Sequence, residues 1–202
     1  MDLCFGCIVE GQGESSALPI LLRRIAAEVD VSIRVQTVIA RHSRHLLIRD
    51  GELERAVQAL SYRLHSRSGI LVVLDSDDDL ACALGPALLR RAKGVRPGVR
   101  TRVVLATREY EAWFLAAAES LTGKCGLRPD LVSPQEPEVI RGAKQWLTRN
   151  MEAGQIYSPT RHQPALTAQF DLAAARSAKS FDKFCRDVCS LIFELRDAVR
   201  DA

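Results

Sequence analysis

Apolar residues along this chain fall into two alternating patterns, one suited to buried strands and one to helices that cover them. Leu3–Val9 is an unbroken apolar run and predicts a buried strand. Gly11-Gln12-Gly13 ends it. Leu18, Leu21, Leu22, Ile25 and Val29 then recur at helical spacing behind Ser15 or Ser16 as N-cap, with Pro19 tolerated in the first turn. Ile33–Ala40 alternates with β-branched residues and reads as a second strand. Asp50 precedes a helix carrying Leu53, Val57, Leu60 and Leu64. Gly69–Leu74 is a third strand, apolar on both faces. Asp78 to about Ala92 reads as a helix that Gly85-Pro86 should kink or restart. Arg102–Ala106 is a fourth strand. Glu109 to about Leu121 is a helix whose Trp113-Phe114 pair reads as core.

Four strand–helix repeats predict an α/β fold: a mostly parallel four-stranded sheet with helices on both faces. The last third differs. Leu127–Pro137 holds Pro129, Pro134 and Pro137 and reads as a loop, as does Ser158–Pro164, with a helix over Val139–Met151 between them. Two helices finish the chain. The last carries Phe181, Phe184, Val188, Leu191, Ile192 and Leu195, an amphipathic stripe that must pack on something. The expected division is an α/β core over 1–125 and an α-helical C-terminal appendage over 126–202, packed on that core.

Composition agrees with one such body: 202 residues, 47% of them hydrophobic, can bury a sizeable core. The net charge of +3 gives no bulk attraction to nucleic acid, so any basic surface must be local. Met1-Asp2 with a short apolar run and no basic leader predicts no signal peptide, and the apolar stretches are too short for a membrane span. A cytoplasmic location is expected. Of the six cysteines, Cys4 and Cys7 form a lone CxxC, but three positions apart in a strand they point to opposite faces. Cys185 and Cys189 sit one helical turn apart. All six read as reduced thiols.

The positions of the acids carry the chemistry. Glu10 follows the first strand, with Glu14 at the start of the next helix. Asp75, Asp77, Asp78 and Asp79 follow the third strand, and Glu109 and Glu111 the fourth. All lie at carboxyl ends of parallel strands, the edge where open α/β sheets bind ligands. If strands one and three are neighbours, Glu10 and Asp75 face each other. Crowded carboxylates suit a hard cation such as Mg²⁺ or Mn²⁺, which accepts substrate phosphate oxygens as further ligands. Acids also cap helix N-termini, and Asp78 and Glu14 are candidates for that role.

A glutamate after strand one and Asp-x-Asp after strand three resemble the Toprim fold. More closely, the chain is similar to the Toprim-like domain-of-unknown-function family 4276. The residues that carry this are Ile8-Val9-Glu10-Gly11 with Glu14, Leu18-Pro19, Val72-Val73-Leu74-Asp75-Ser76-Asp77-Asp78-Asp79 and Glu109-Tyr110-Glu111-Ala112-Trp113-Phe114-Leu115. Tyr157, Gln163-Pro164-Ala165-Leu166, Asp171 and Ser180-Phe181-Asp182 extend the likeness toward the C-terminus. The resemblance implies that Glu10 acts as acid or base and that Asp75 and Asp77 bind Mg²⁺ or Mn²⁺. Glu10-x-x-x-Glu14 also looks like the double-glutamate motif of Toprim nucleases of the overcoming-lysogeny-defect class, which use two metals. Thr107-Arg108-Glu109 is similar to that class's Ser-x-Glu, with threonine in place of serine. The metal set is then Glu10, Glu14, Asp75, Asp77, Glu109 and Glu111, with Lys144 a candidate to stabilise phosphate charge. Relatives are often encoded beside an ATPase of the AAA or ABC type, in settings suggestive of phage defence.

The densest basic segment is Arg41-His42-Ser43-Arg44-His45, after strand two. Arg41, His42, Arg44 and His45 are candidates for phosphate contacts to DNA or RNA, although a solvated loop gives the same pattern. No aromatic residues interleave with it to stack bases. Gly11-x-Gly13-x-x-Ser16 lacks the third glycine of a dinucleotide loop, and no GxSxG, Walker lysine loop or HExxH occurs. Two functions are expected from these residues: a Mg²⁺/Mn²⁺-dependent nuclease, or a non-catalytic module that docks on an ATPase.

Overall fold

The fold is organised by strands whose two sides are both apolar. The structure, a computed structural model, describes residues 2–65 and 68–197. Strands β1 (Asp2–Val9), β2 (Arg34–Arg41), β3 (Ser68–Asp75) and β4 (Arg100–Ala106) form one sheet in the order β2-β1-β3-β4, with every pairing parallel. The expected α/β architecture is therefore present. Cys7 pairs with Leu71, and Val72 with Val103, so the central strands align face to face.

Strand alternation divides the interior in two. Leu3, Phe5, Cys7 and Val9 of β1, with Leu71 and Val73 of β3, face the larger core. It is closed by helix α1 (Gln12–Val29) and the long C-terminal helix. Ile8, Ile70, Val72, Leu74, Val103 and Leu105 face the smaller core. That core is covered by α2 (Arg44–Leu47), α3 (Glu52–Ser61) and α4 (Ala81–Val95). Covering both faces is what requires β3 to be apolar throughout.

Downstream come α5 (Ala112–Ala116), α6 (Ala143–Arg149), α7 (Pro159–Thr167), α8 (Leu172–Ala175) and α9 (Lys179–Asp197). Helix α9 buries Phe181, Phe184, Val188, Leu191, Ile192 and Leu195, the stripe visible in the sequence. Trp113 and Phe114 are fully buried. Trp113 lies 5.2 Å from Phe181 and 5.1 Å from Phe184 between ring centroids, which ties α5 to α9. All six cysteines are free. Among the described residues no helix is long and apolar enough to cross a membrane.

Several local expectations are corrected. Ser158–Pro164 is not a loop: α7 spans Pro159–Thr167, with Pro159 at the start, where a missing N–H costs nothing, and Pro164 inside. Helix α1 supplies the tertiary support. Arg24 donates to the Thr167 and Phe170 carbonyls, both at 2.8 Å, at the open end of α7. The helix α1 begins at Gln12, with Gly11 rather than Ser15 or Ser16 as its N-cap. Gly85-Pro86 does not break α4. That helix starts at Ala81, so Pro86 falls in the second turn and removes one early hydrogen bond. The helix expected over Glu109–Leu121 is divided into α5 and a 3₁₀ turn at Ala118–Leu121. The one expected over Val139–Met151 is shortened to α6 behind a 3₁₀ turn at Pro137–Val139.

Candidate functional site

The strand order places a switch point between β1 and β3, since β2 lies on one side of β1 and β3 and β4 on the other. The crevice outside such a point is where open α/β sheets receive ligands. Glu10 and Glu14, Asp75 to Asp79, and Glu109 and Glu111 follow the strands that end there.

Asp75 closes β3. Its Oδ1 accepts a hydrogen bond from the Tyr110 N–H at 2.7 Å. Burial, with Glu111 nearby, holds its carboxyl well above the usual aspartate range, although Lys144 pulls the other way. Glu111 is fully buried at 0% exposure. Its Oε1 accepts from the Tyr157 hydroxyl at 3.0 Å, while Oε2 accepts no hydrogen bond. Burial raises this carboxyl too, against the attraction of Lys144. Burial and then Glu111 keep Tyr157 protonated far into the alkaline range.

Lys144 enters from the first turn of α6, behind Gly142 in the left-handed region at φ 73°. Its Nζ lies 2.9 Å from Glu109 Oε2, 3.3 Å from Glu111 Oε2 and 3.9 Å from Asp75 Oδ2. Desolvation pulls the ammonium down, but Glu111, Asp75 and Glu109 together raise it above its ordinary value.

Glu14 has two tasks. From the third position of α1 it reaches back to the Gly11 N–H, the one half of a capping box that a glycine N-cap allows. Its other oxygen lies 3.4 Å from Gln163 Nε2 of α7. Glu10, at the end of β1, is half-buried. Burial raises its carboxyl, an Arg44 N–H lowers it, and Asp77 and Glu14 raise it further.

Asp77 sits in the left-handed region at φ 49°, and Arg108 across from it at φ 65°. The two turns are stitched together. Ser76 N–H donates to Ala106 O at 2.8 Å, Asp77 N–H to Arg108 O at 3.1 Å, and Arg108 N–H to Ser76 Oγ at 2.9 Å. Asp78 pairs with Arg108 and with Arg141, and Asp79 with Arg44. Asp78 therefore does not cap α4, whose N-cap is Leu80. Asp77, Asp78, Arg108, Glu109, Arg141 and Gly142 line a cavity of about 150 Å³.

The basic segment is divided. Arg44 is turned inward, its side chain 11% exposed, and donates to Asp75 O at 2.7 Å and Ser76 O at 3.1 Å. It also lies 3.3 Å from Asp77. Arg41 donates to Gln12 Oε1 at 2.6 Å, His45 meets Arg49 at 2.9 Å, and the His42 N–H bonds Val9 O at 2.9 Å. The arrangement thus brings Asp75, Glu109, Glu111 and Lys144 into one cluster with Glu14 beside it. It sets Asp77 on Arg44 instead. Tyr157, Gln163 and Arg141 join the site from the C-terminal third, and no local sequence pattern assigns them roles.

The donor set is all oxygen and anionic, the chemistry a hard divalent cation takes. The geometry differs: among the described residues no group of three or more His, Cys, Asp or Glu side chains is arranged to hold a metal ion. Lys144 stands where the acids converge.

Fold and site together define an α/β protein with an acid cluster gathered around one lysine at the switch point of a four-stranded parallel sheet. The chain belongs to the family described as domain of unknown function (DUF4276), whose model matches residues 9–188. No curated protein and no solved structure matches it.

Proposed function

We propose that this protein is a Toprim-type, Mg²⁺- or Mn²⁺-dependent nuclease that cleaves phosphodiester bonds of DNA or RNA. The observation that carries the reading is the gathering of Asp75, Glu109 and Glu111 around Lys144, with Glu14 close enough to act on Asp75, at the carboxyl edge of β1, β3 and β4. A cluster of buried acids held at this cost is explained by chemistry more readily than by packing. Asp75 and Asp77, with Glu10, Glu14, Glu109 and Glu111, are the residues that would hold the cation, which when bound supplies neutralisation of phosphate charge and an acidified water. Glu10, whose carboxyl burial raises above its ordinary value, is the candidate for proton transfer. Lys144 would offset phosphate charge. Arg41, His42 and His45 offer flanking phosphate contacts, and Arg44 fixes the turn that carries Asp75 and Asp77. An ATPase of the AAA or ABC type is the partner this reading takes from the Toprim resemblance, with phage defence as the setting.

One observation favours a second reading. The acids around Lys144 already hold one cation without a metal, as expected of a non-catalytic module that docks on such an ATPase. The test is Mn²⁺ binding by calorimetry on wild type and Asp75→Asn/Asp77→Asn, followed by cleavage assays on single- and double-stranded DNA and RNA. Saturable binding lost in the double variant, with metal-dependent cleavage, supports the nuclease. Absence of binding in the wild type sinks it and leaves the module.

A further inference from the structure

We infer that the cavity between α4, the outer edge of β4 and the first turns of α9 is a binding site for a small apolar carboxylate, of the class of an ionised medium-chain fatty acid. The inference stands apart from the nuclease reading, because the cavity shares no residue with the acid cluster around Lys144.

The cavity follows from the strand order. β4 is the last strand of the sheet, with α4 packed against one of its faces and α9 against the other. No fifth strand fills the space that the two helices leave along its edge. That space is a cavity of about 370 Å³, within the range of small-molecule sites. Its walls are mainly apolar, from Pro86 and Leu89 of α4 and Val103 and Leu105 of β4. Gly85 keeps it open: a Cβ built there would meet only Leu105 Cδ1, at 3.9 Å. The charged residues in its lining are Lys179 and Lys183, both exposed and one helical turn apart on α9. An apolar body with one negative head matches walls and rim together.

The polar end has a donor waiting. Ser180 lines the cavity and is itself buried, at 7% exposure. Its Oγ accepts from Trp113 Nε1 at 2.8 Å and from the Thr107 N–H at 3.2 Å. A serine hydroxyl has two acceptor sites and one proton. Both acceptor sites are taken, and among the described residues no acceptor meets the proton. A buried donor in that state is costly until an acceptor arrives. Lys179, the preceding residue, forms no ion pair among the described residues. A carboxylate here takes the Ser180 proton and the Lys179 charge together. Lys183, already on Asp187 and the Val103 carbonyl, adds a second positive charge at the rim. Glu138 is the acid at this end of α9. Its two oxygens accept the Lys179 and Ser180 N–H groups at 3.0 and 2.8 Å, so the helix N-terminus offsets its charge.

An added strand is the other occupant that an open sheet edge admits. Here outward groups along the edge are already taken, the Val103 carbonyl by Lys183 at 3.3 Å and the Thr107 N–H by Ser180. The edge is thereby blunted against pairing. A ligand held by its tail and one charged head needs neither group.

Decanoate is the probe, with decyltrimethylammonium as a ligand of the same tail and opposite charge. Calorimetry measures both on wild type, on Lys179→Gln/Lys183→Gln, which removes charge at exposed positions, and on Gly85→Leu, which fills the cavity. Circular dichroism establishes folding. Cys82 is exposed and lies in the lining, so its alkylation by N-ethylmaleimide, followed by mass spectrometry, reports occupancy. Wild type is expected to bind decanoate saturably and more tightly than decyltrimethylammonium, and decanoate should slow alkylation of Cys82. The double glutamine variant should bind decanoate about fivefold more weakly, the scale of two exposed charge contacts. Gly85→Leu should lose both binding and protection. Absence of saturable binding by wild type overturns the site. Equal affinity for the two probes, or unchanged affinity in the double variant, overturns the ligand class. Should Gly85→Leu not fold, Cys82 decides: decanoate binding that leaves its alkylation unchanged places the ligand elsewhere and overturns the inference.

Discussion

Arg44 Nε donates to the main-chain carbonyl of Asp75 at 2.7 Å, so a residue after β2 holds the end of β3 across the intervening β1. The same guanidinium reaches Ser76 O, Asp77 and Asp79. It spans the switch point and sets the backbone from which two candidate ligands project. We predict that Arg44→Ala destabilises the protein by about 1–3 kcal/mol, since it strands carbonyls the guanidinium now satisfies. Arg44→Lys should recover only part of this, because an ammonium cannot present the planar fork. Urea denaturation measures both. An unchanged midpoint in Arg44→Ala would show the clamp to be idle.

This clamp marks the limit of what the sequence discloses. Arg44 reads locally as one member of a basic, solvated run, and nothing nearby tells that it turns inward toward residues 31 and more positions away. The strands were legible because β3 and β1 are covered on both sides and must be apolar at nearly every position. Glu10, Asp75 and Glu109 were legible as strand-end acids for the same reason: once the strands are placed, so are their ends. Lys144 carries no motif, and its partners lie 35 residues away at Glu109 and farther at Asp75. Only the path of the chain through the Pro-rich 127–137 segment brings α6 back to the sheet edge. Helix α7 was hidden for a related cause. Pro164 argues locally against a helix, and the support that overrides it comes from Arg24 and the packing face of α1.

Gly13 gives a prediction about that packing. A Cβ built there would stand 1.8 Å from Gln163 Oε1 and 3.0 Å from the Pro159 carbonyl of α7. Gln163 is fully buried, so its amide has little room to yield. Gly13→Ala should therefore push α1 and α7 apart at a cost of about 1–3 kcal/mol, more than offsetting alanine's better helix propensity. It should also disturb Glu14, which Gln163 faces. Thermal melting tests the first effect. A Gly13→Ala protein as stable as wild type would mean that α7 is free to shift.

Asp77 combines a candidate ligand with a strained backbone. At φ 49° it occupies a region that asparagine and glycine enter readily and alanine does not. Asp77→Asn should fold with nearly wild-type stability. Asp77→Ala should be about 1 kcal/mol less stable than Asp77→Gly, a backbone effect unrelated to chemistry. Asparagine is thus the variant that isolates the loss of the carboxylate charge. Chemical denaturation of the three proteins side by side checks the order. Equal stability of Ala and Gly variants would remove the strain argument.

The buried acids set a pH dependence with a definite sign. In the unfolded chain Asp75 and Glu111 titrate at ordinary carboxylate values. In the folded protein burial raises both, with Glu111 adding to the effect at Asp75. Between the ordinary and the raised values the folded state binds more protons than the unfolded state, so stability falls as pH rises through that window. Lys144 behaves differently. Its folded value is raised above the ordinary one, so its contribution is intact at neutral pH and is lost only as pH climbs through the alkaline range. Measured in chelator, melting temperature should therefore decline from the upper part of the ordinary carboxylate range toward neutrality. Glu111→Gln should flatten the decline. Glutamine can still accept from Tyr157, and Lys144 keeps Glu109 and Asp75 as partners. Because the Glu111 carboxyl is raised even with Lys144 beside it, its ionised form is a net burden to the fold. The variant should be more stable than wild type at neutral pH. Destabilisation by Glu111→Gln at neutral pH would mean that the ion pair with Lys144 outweighs the desolvation of the carboxylate, and the sign of the argument would reverse.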